Sequence, residues 1–567
     1  MEAGAPPEAV RALDWFFEAY YARRPVNATF IGVHDGDGAW PDCSENGLGD
    51  WLSENRALAG ILATHAASPS GDLDLDWDLQ VAGGFLETQV WELASSHGPA
   101  GNPAFYTGEA AFGIISLLLT DFAPLGDRVA SLTDRLYGLP RFLAQGENRL
   151  EAAPRAWTQR ARRECGALLA LLERGLVTAA ESWTPETVTQ KGRTALEEAR
   201  SHGLAAARRF STFLEGIPDA GEGAASAGPQ ALSLHLEGGH FVSDSLDGLL
   251  RMAEDELRWA QEAVEATPEP QEAEPVAVEA TPEPQEAEPV AVEAPGQHRY
   301  QAAWDAVREE VEGLDLLTWP DFPIEYVPRP TWVREAAEDL YFLYYRAPSA
   351  FCRPAVHHYL IHPSEVLDDA TIRLNHVIHH GSVGHHVQNW HAYRARSRVG
   401  RIAAVDCSAR TAMLAGGTMA EGWACYATDL MKEVGFLTPA EEYKELRGRV
   451  RMCARAVVDL RLHSGVMTLS QAATFYQSVA GMSAAAARAE AVKNSMFPGG
   501  AVMYLLGRDG IHRLRERIMA LEGGGFSLRR FHDRFLSHGS VPVSLIAQRM
   551  TDDAMSELHP VRPVKEA

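Results

Sequence analysis

Apolar residues recur at helical spacing almost without a break from residue 7 to about residue 215, and that pattern restricts the chain to a largely helical fold. Val10, Leu13, Phe16, Phe17 and Tyr20 mark one face of a first helix over 7–24. Asn27 to Pro41 is turn-rich, with Gly32, Asp35-Gly36 and Asp37-Gly38. The spacing then predicts helices over 47–66, 76–97, 108–122, 126–151, 154–177 and 184–216. Ala and Leu dominate, Arg and Glu fill the polar faces, and β-branched alternation is scarce, as in a helical bundle. A loop is expected over 218–230 and another helix from Ser245 to about Glu265.

The helical pattern stops at a tandem repeat. Val264 to Ala277 reads VEATPEPQEAEPVA, and Val278 to Ala291 repeats it unchanged at a period of 14. Pro and Glu without aromatics cannot build a core, so an extended or disordered linker is expected. Beyond it, Tyr300 to Leu317 reads as helix, Phe322 to Pro330 as a strand, and Val356 to Ile361 as a short strand. Helices resume near Ser364 and run to the end, broken at Phe497–Gly500 and Gly523–Gly525. The expected architecture is mostly α: a large helical bundle-like body with a deep cleft and a small β-sheet near a metal site. An N-terminal helical part, 1–263, and a C-terminal helical part, 297–567, flank the acidic linker at 264–296 and form one intertwined body.

The net charge of −26 argues against nucleic acid and anionic membranes as partners. Ten glutamates lie between Arg258 and Arg299 with no Lys, Arg or Asp, so much of the charge is local. Cys43, Cys165, Cys352, Cys407, Cys425 and Cys453 are scattered and form no C-x-x-C, which favours reduced thiols in a cytoplasmic protein. No signal peptide is read at the N-terminus, and the longest apolar run, Phe112 to Leu119, is too short to span a bilayer.

The chemistry concentrates in His379-His-Gly-Ser-Val-Gly-His-His-Val-Gln388, with four histidines in eight residues and His376 and His391 flanking them. Imidazole is the commonest protein metal ligand, and a buried group of imidazoles needs something to satisfy it. On one unbroken helix His379 and His386 would share a face, roughly 20° apart at about 100° per residue. Gly381 and Gly384 make a straight helix doubtful, and a kink would bring His385 round instead, so His385 and His386 compete as ligands. The H-E-x-x-H spacing of zinc hydrolases is absent. A second piece, Thr418-Met-Ala-Glu421-Gly-Trp-Ala-Cys-Tyr426, reads either as a capping box opening a helix or as a source of a carboxylate ligand, Glu421. Two histidines and a later glutamate would make a zinc site with an open position for water.

These motifs resemble the bacterial family known as domain of unknown function 885, which is similar to helical zinc carboxypeptidases of the gluzincin type. Its pattern is His-Glu-x-x-Pro-Gly-His-His-x-Gln, then Glu-Gly-Trp-Ala-x-Tyr some forty residues later. The stretches Pro498 to Gly507, Phe526 to Asp533, Gly539 to Pro542, Ile31 to Asp35 and Arg135 to Pro140 also fit. The resemblance implies His379, one of His385 or His386, and Glu421 as metal ligands. It does not supply the general base: His380 stands where the family has Glu, and Val383 where it has Pro.

The resulting expectation is a metal-dependent hydrolase of peptide or amide bonds in small substrates, acting through a metal-bound water. It would use one divalent metal, zinc best, with His380 as base and Tyr504 as oxyanion donor. Arg508 would hold a substrate carboxylate, and His357 and His358 are weaker pocket candidates. The alternative is a non-hydrolytic metal-binding protein on the same scaffold. The expected partner is a small peptide-like or amide substrate, with no nucleic acid and no membrane; a homodimer is the oligomer considered. P-loop, nucleophile-elbow and dinucleotide fingerprints are missing.

Overall fold

The computed structural model describes residues 7–270, 296–337, 340, 347–361, 367–402 and 416–558. The acidic repeat from Gln271 onward, Cys407 and residues 1–6 lie outside the described residues. The fold is mostly α, and among the described residues the strands are a single parallel pair, Ile324–Pro328 with His357–Ile361, in register Ile324 to His357. Both strands fall within the stretches read as strand, 322–330 and 356–361.

Several of the long helices begin where a side chain accepts an orphan backbone N–H. Ser44, Asp72, Thr189 and Ser245 cap the helices Glu45–Ala66, Leu73–Ala94, Gln190–Glu215 and Leu246–Ala266. Thr438 with Glu441 and Thr468 with Gln471 form complete capping boxes on Pro439–His463 and Leu469–Ala480. The turn-rich reading of 27–41 is corrected in part. Pro25 at a first-turn position starts a short helix, Pro25–Ile31, which Gly32 ends at φ 97°.

The N- and C-terminal parts touch through specific groups. The 246–266 helix packs on the 439–463 helix. Trp157 Nε1 donates to Ser495 Oγ at 2.8 Å. The arginine run 394–401 also ties the two parts together. Arg398 pairs with Asp14 at 2.7 Å, Arg396 reaches Asp72 and Asp74, and the Ser397 hydroxyl and the backbone N–H groups of Arg398 and Val399 donate to buried Asp78. Among the described residues no helix is long and apolar enough to cross a membrane.

Two glycines set the distance between the helices Gly417–Glu433 and Met503–Glu522. A Cβ on Gly507 would collide with the Thr418 carbonyl and come within 2.8 Å of Gly422 Cα. Gly507→Ala is therefore expected to force the pair apart and cost about 1–3 kcal/mol of stability, read as a lower denaturation midpoint. An unchanged midpoint would show that the two helices part without strain.

Candidate metal centre

The histidine run does not form one straight helix. Ile372 to Gly381 is wound as a π-helix, and a new helix, His385–Ala392, starts after a sharp turn. The wide turn shows in the side chains: His380 Nδ1 donates to the Asn375 carbonyl at 2.6 Å, and Ser382 Oγ to the Val377 carbonyl at 2.8 Å, each five residues back. Gly384 makes the turn possible, because a Cβ there would strike the His379 carbonyl. Its N–H instead closes the turn on the Ile378 carbonyl at 2.9 Å.

The turn brings His385 to His379, with ring centroids 5.0 Å apart; His380 lies 4.7 Å from His379 and 5.5 Å from His385. One ring nitrogen of each of the three lies within 4.8 Å of the others. His386 points the other way. It is 1% exposed, stacks on Phe322, and donates Nε2–H to the Phe322 carbonyl at 2.8 Å. Of the two competing histidines, the structure brings His385 to the cluster and leaves His386 in the packing behind it.

Glu421 completes the group. The Thr418–Glu421 capping box does not form: the helix 417–433 starts with no side-chain cap, and Thr418 Oγ1 accepts from Val543 N at 3.2 Å. Glu421 instead faces the imidazoles, with Oε2 3.6 Å from His379 Nε2 and 3.5 Å from His385 Nε2. Donors about 2.1 Å from a tetrahedral zinc ion lie about 3.4 Å apart, so these spacings fit a shared ion. The three side chains are 12–20% exposed, which leaves the group reachable from solvent. The rest of that second motif fixes it in place. Trp423 Nε1 donates to the Val383 carbonyl at 2.9 Å, tying the helix to the histidine turn. The Tyr426 hydroxyl bonds to His532 Nε2 at 2.8 Å.

The electrostatics suit cation binding. Burial, aided by His385 and Arg455 and opposed by Glu421, lowers the pKa of His379. Burial, then the neighbouring imidazoles of His379 and His385, hold His380 well below 6.5. Burial works against ionisation of Glu421, but His385 and His379 outweigh it and hold its carboxyl well below the usual range. Near neutral pH the site thus offers neutral imidazoles at His379 and His380 and a carboxylate at Glu421, the protonation states that ligands need.

Other expected site residues are placed unequally. Tyr504 is half-buried against the apolar cluster around Val450 and Leu505, its ring 5.8 Å from the Arg455 guanidinium. Arg508 is buried in ion pairs, with Nε 2.5 Å from Asp429 and Nη1 3.3 Å from Glu256. It joins three helices behind Glu421, a packing role in place of the substrate contact read from sequence. His357 is buried against Phe322, and exposed His358 lies 3.7 Å from Glu325 on the sheet. Arg455 escaped the sequence reading, although Arg447, Arg451 and Arg455 recur every four residues on one helix.

The fold and the His379–His385–Glu421 group together describe a helical protein with two imidazoles and a carboxylate gathered at ligand spacing. The chain belongs to the family described as bacterial protein of unknown function (DUF885), whose model matches residues 25–550. Two solved structures share the fold. One is a candidate lipoprotein of unknown function from Shewanella oneidensis, 17% identical, with a TM-score of 0.70 over 96% of this chain and 100% of its own. The other is a candidate lipoprotein from Colwellia psychrerythraea, 15% identical, with a TM-score of 0.72 over 97% and 99%. No functionally curated protein matches the chain.

Proposed function

We propose that the chain is a metal-dependent hydrolase of peptide or amide bonds in small substrates. The observation that carries this reading is the convergence of His379, His385 and Glu421 at ligand spacing. A set of two imidazoles and one carboxylate is a common catalytic zinc set, so zinc is the preferred ion. When bound, such an ion supplies Lewis acidity and brings the pKa of a water toward neutrality. The hydrolytic half draws on the motif likeness to gluzincin-type carboxypeptidases.

The chain's own residues would divide the work. His379, His385 and Glu421 hold the ion. His380, with its hydrogen fixed on Nδ1 by the Asn375 carbonyl, presents Nε2 as the basic nitrogen and takes a proton from the attacking water. Tyr504 would donate to the developing oxyanion, the role read for it from sequence. A second reading has its own observation: a nitrogen of His380 lies within 4.8 Å of the other two imidazoles, close enough to place it among the ligands of a non-hydrolytic metal protein. A cytoplasmic location goes with the free thiols of Cys43, Cys165, Cys352, Cys425 and Cys453.

Purified without chelator, the protein is expected to hold close to one equivalent of a transition metal by elemental analysis, and to lose peptide or amide hydrolysis when stripped. Less than about 0.1 equivalent would sink the metal centre itself.

A further inference from the structure

His379 and His380 lie inside one wide turn. In a π-helix each carbonyl accepts from the N–H five residues on, so the turn that carries both imidazoles is closed by His376 and Gly381. Such turns are rare and occur mostly as single bulges at functional sites. This one is gripped from outside at both ends. At the first end the Tyr359 hydroxyl lies 2.7 Å from His376 Nδ1, and the Tyr326 hydroxyl donates to the His376 carbonyl at 3.4 Å. At the second end Trp304 Nε1, from the helix Gln297–Gly313, donates to the Gly381 carbonyl at 2.9 Å. A Cβ on Gly381 would strike the Tyr326 hydroxyl and stand 2.8 Å from the His376 carbonyl oxygen. The two tyrosines are register partners in the parallel strand pair, with ring centroids 4.9 Å apart. Tyr300 packs on Tyr326 at 5.3 Å and on His376 at 5.6 Å. Tyr326, Tyr359 and His376 are at most 3% exposed, so these bonds are made out of reach of water, where losing a partner costs most.

We infer that Tyr326 and Tyr359 are positioning residues: with Trp304 they hold the 376–381 turn at its wide setting, and so aim His379 and His380 at His385 and Glu421. Rewinding the turn as α would leave one residue over and swing the imidazoles by about 100°, one residue's rotation. A two-stranded sheet is marginal by itself. Its contribution here is the pair of hydroxyls that it delivers to one face of the turn. The inference rests on the proposed function for what the cluster holds, and not for the geometry of the cluster, which is set without an ion.

The experiment compares the full-length chain with Tyr326→Phe, Tyr359→Phe and the double variant, each of which removes hydroxyls and keeps the rings. Ser495→Ala is the control, because it deletes a fully buried hydroxyl, the acceptor for Trp157, on a different helix. Zinc affinity, read by dye competition, is expected to fall about tenfold in Tyr359→Phe and further in the double variant, the scale of groups that orient a ligand. The absorption bands of the cobalt-substituted protein report donor geometry. They are expected to shift in the tyrosine variants and to match the parent in Ser495→Ala, although every variant melts at a lower temperature. Parental zinc affinity and parental cobalt bands in the double variant overturn the inference, as do equal losses in Ser495→Ala. Should the double variant not fold, the two single variants carry the same comparison. A parent that binds neither metal removes the metal centre, and the positioning is then read in chelator-treated protein labelled at histidine. Nuclear Overhauser contacts between the His379 and His385 rings that vanish in the tyrosine variants uphold it, and contacts that persist overturn it.

Discussion

Glu421→Ala is expected to lower metal affinity by at least about 100-fold while leaving the chain folded. Outer groups that only orient a ligand are worth about 10–100-fold, and Glu421 sits in direct ligand position. It is also the carboxylate among otherwise neutral donors, so its loss removes the charge that neutralises a dication. His385→Ala is expected to behave in the same way. His386→Ala should do the opposite. His386 is fully packed, stacked on Phe322 and hydrogen-bonded to its carbonyl, so its removal should cost about 2–4 kcal/mol of stability with metal affinity within a few-fold of the parent. Competition against a zinc-binding dye, alongside urea midpoints, reads both quantities. Loss of metal in His386→Ala with retention in His385→Ala would reverse the ligand assignment.

That contrast marks how much of the site was legible in the sequence. Periodicity located the long helices, because amphipathic spacing is a local signal, while the short helix Pro25–Ile31 fell in a stretch read as turns. The two strands were legible for the same reason. The histidine motif announced a site but not its ligands. Seven-residue spacing put His379 and His386 on one face only if the helix stayed regular. The structure departs from regularity at the π-turn and at Gly384, where the His379 carbonyl leaves no room for a Cβ. Likewise Thr418–Glu421 had the local form of a capping box. Tertiary contacts with Val543, Gly507 and Val383 recruited Thr418, Gly422 and Trp423 and left Glu421 facing the imidazoles. Arg508 and Arg455 show the limit most clearly. Both are arginines near Tyr504, and only three-dimensional packing reveals that one is locked to Asp429 and Glu256 while the other pairs with Glu490.

His380→Glu is expected to retain hydrolysis or to raise it, and the substitution tests the hydrolytic half of the proposed function. It puts a carboxylate at the position where the resembling family carries its proton acceptor. General bases contribute typically about 10²–10⁴-fold, so exchanging one competent base for another should keep that factor, whereas His380→Ala should lose it. Metal content separates the two readings of the wild-type imidazole. As a base, His380 is dispensable for holding the ion: His380→Ala would keep its equivalent of metal and lose about 100-fold or more in kcat. As a ligand, it is not: His380→Ala would lose affinity, and His380→Glu would change the donor set from three imidazoles to two. Measuring kcat and metal affinity together on both variants therefore decides the matter. Full metal occupancy with collapsed turnover in His380→Glu would mean that the native reaction needs an imidazole at this position, and that hydrolysis by the family's scheme is not what this site performs.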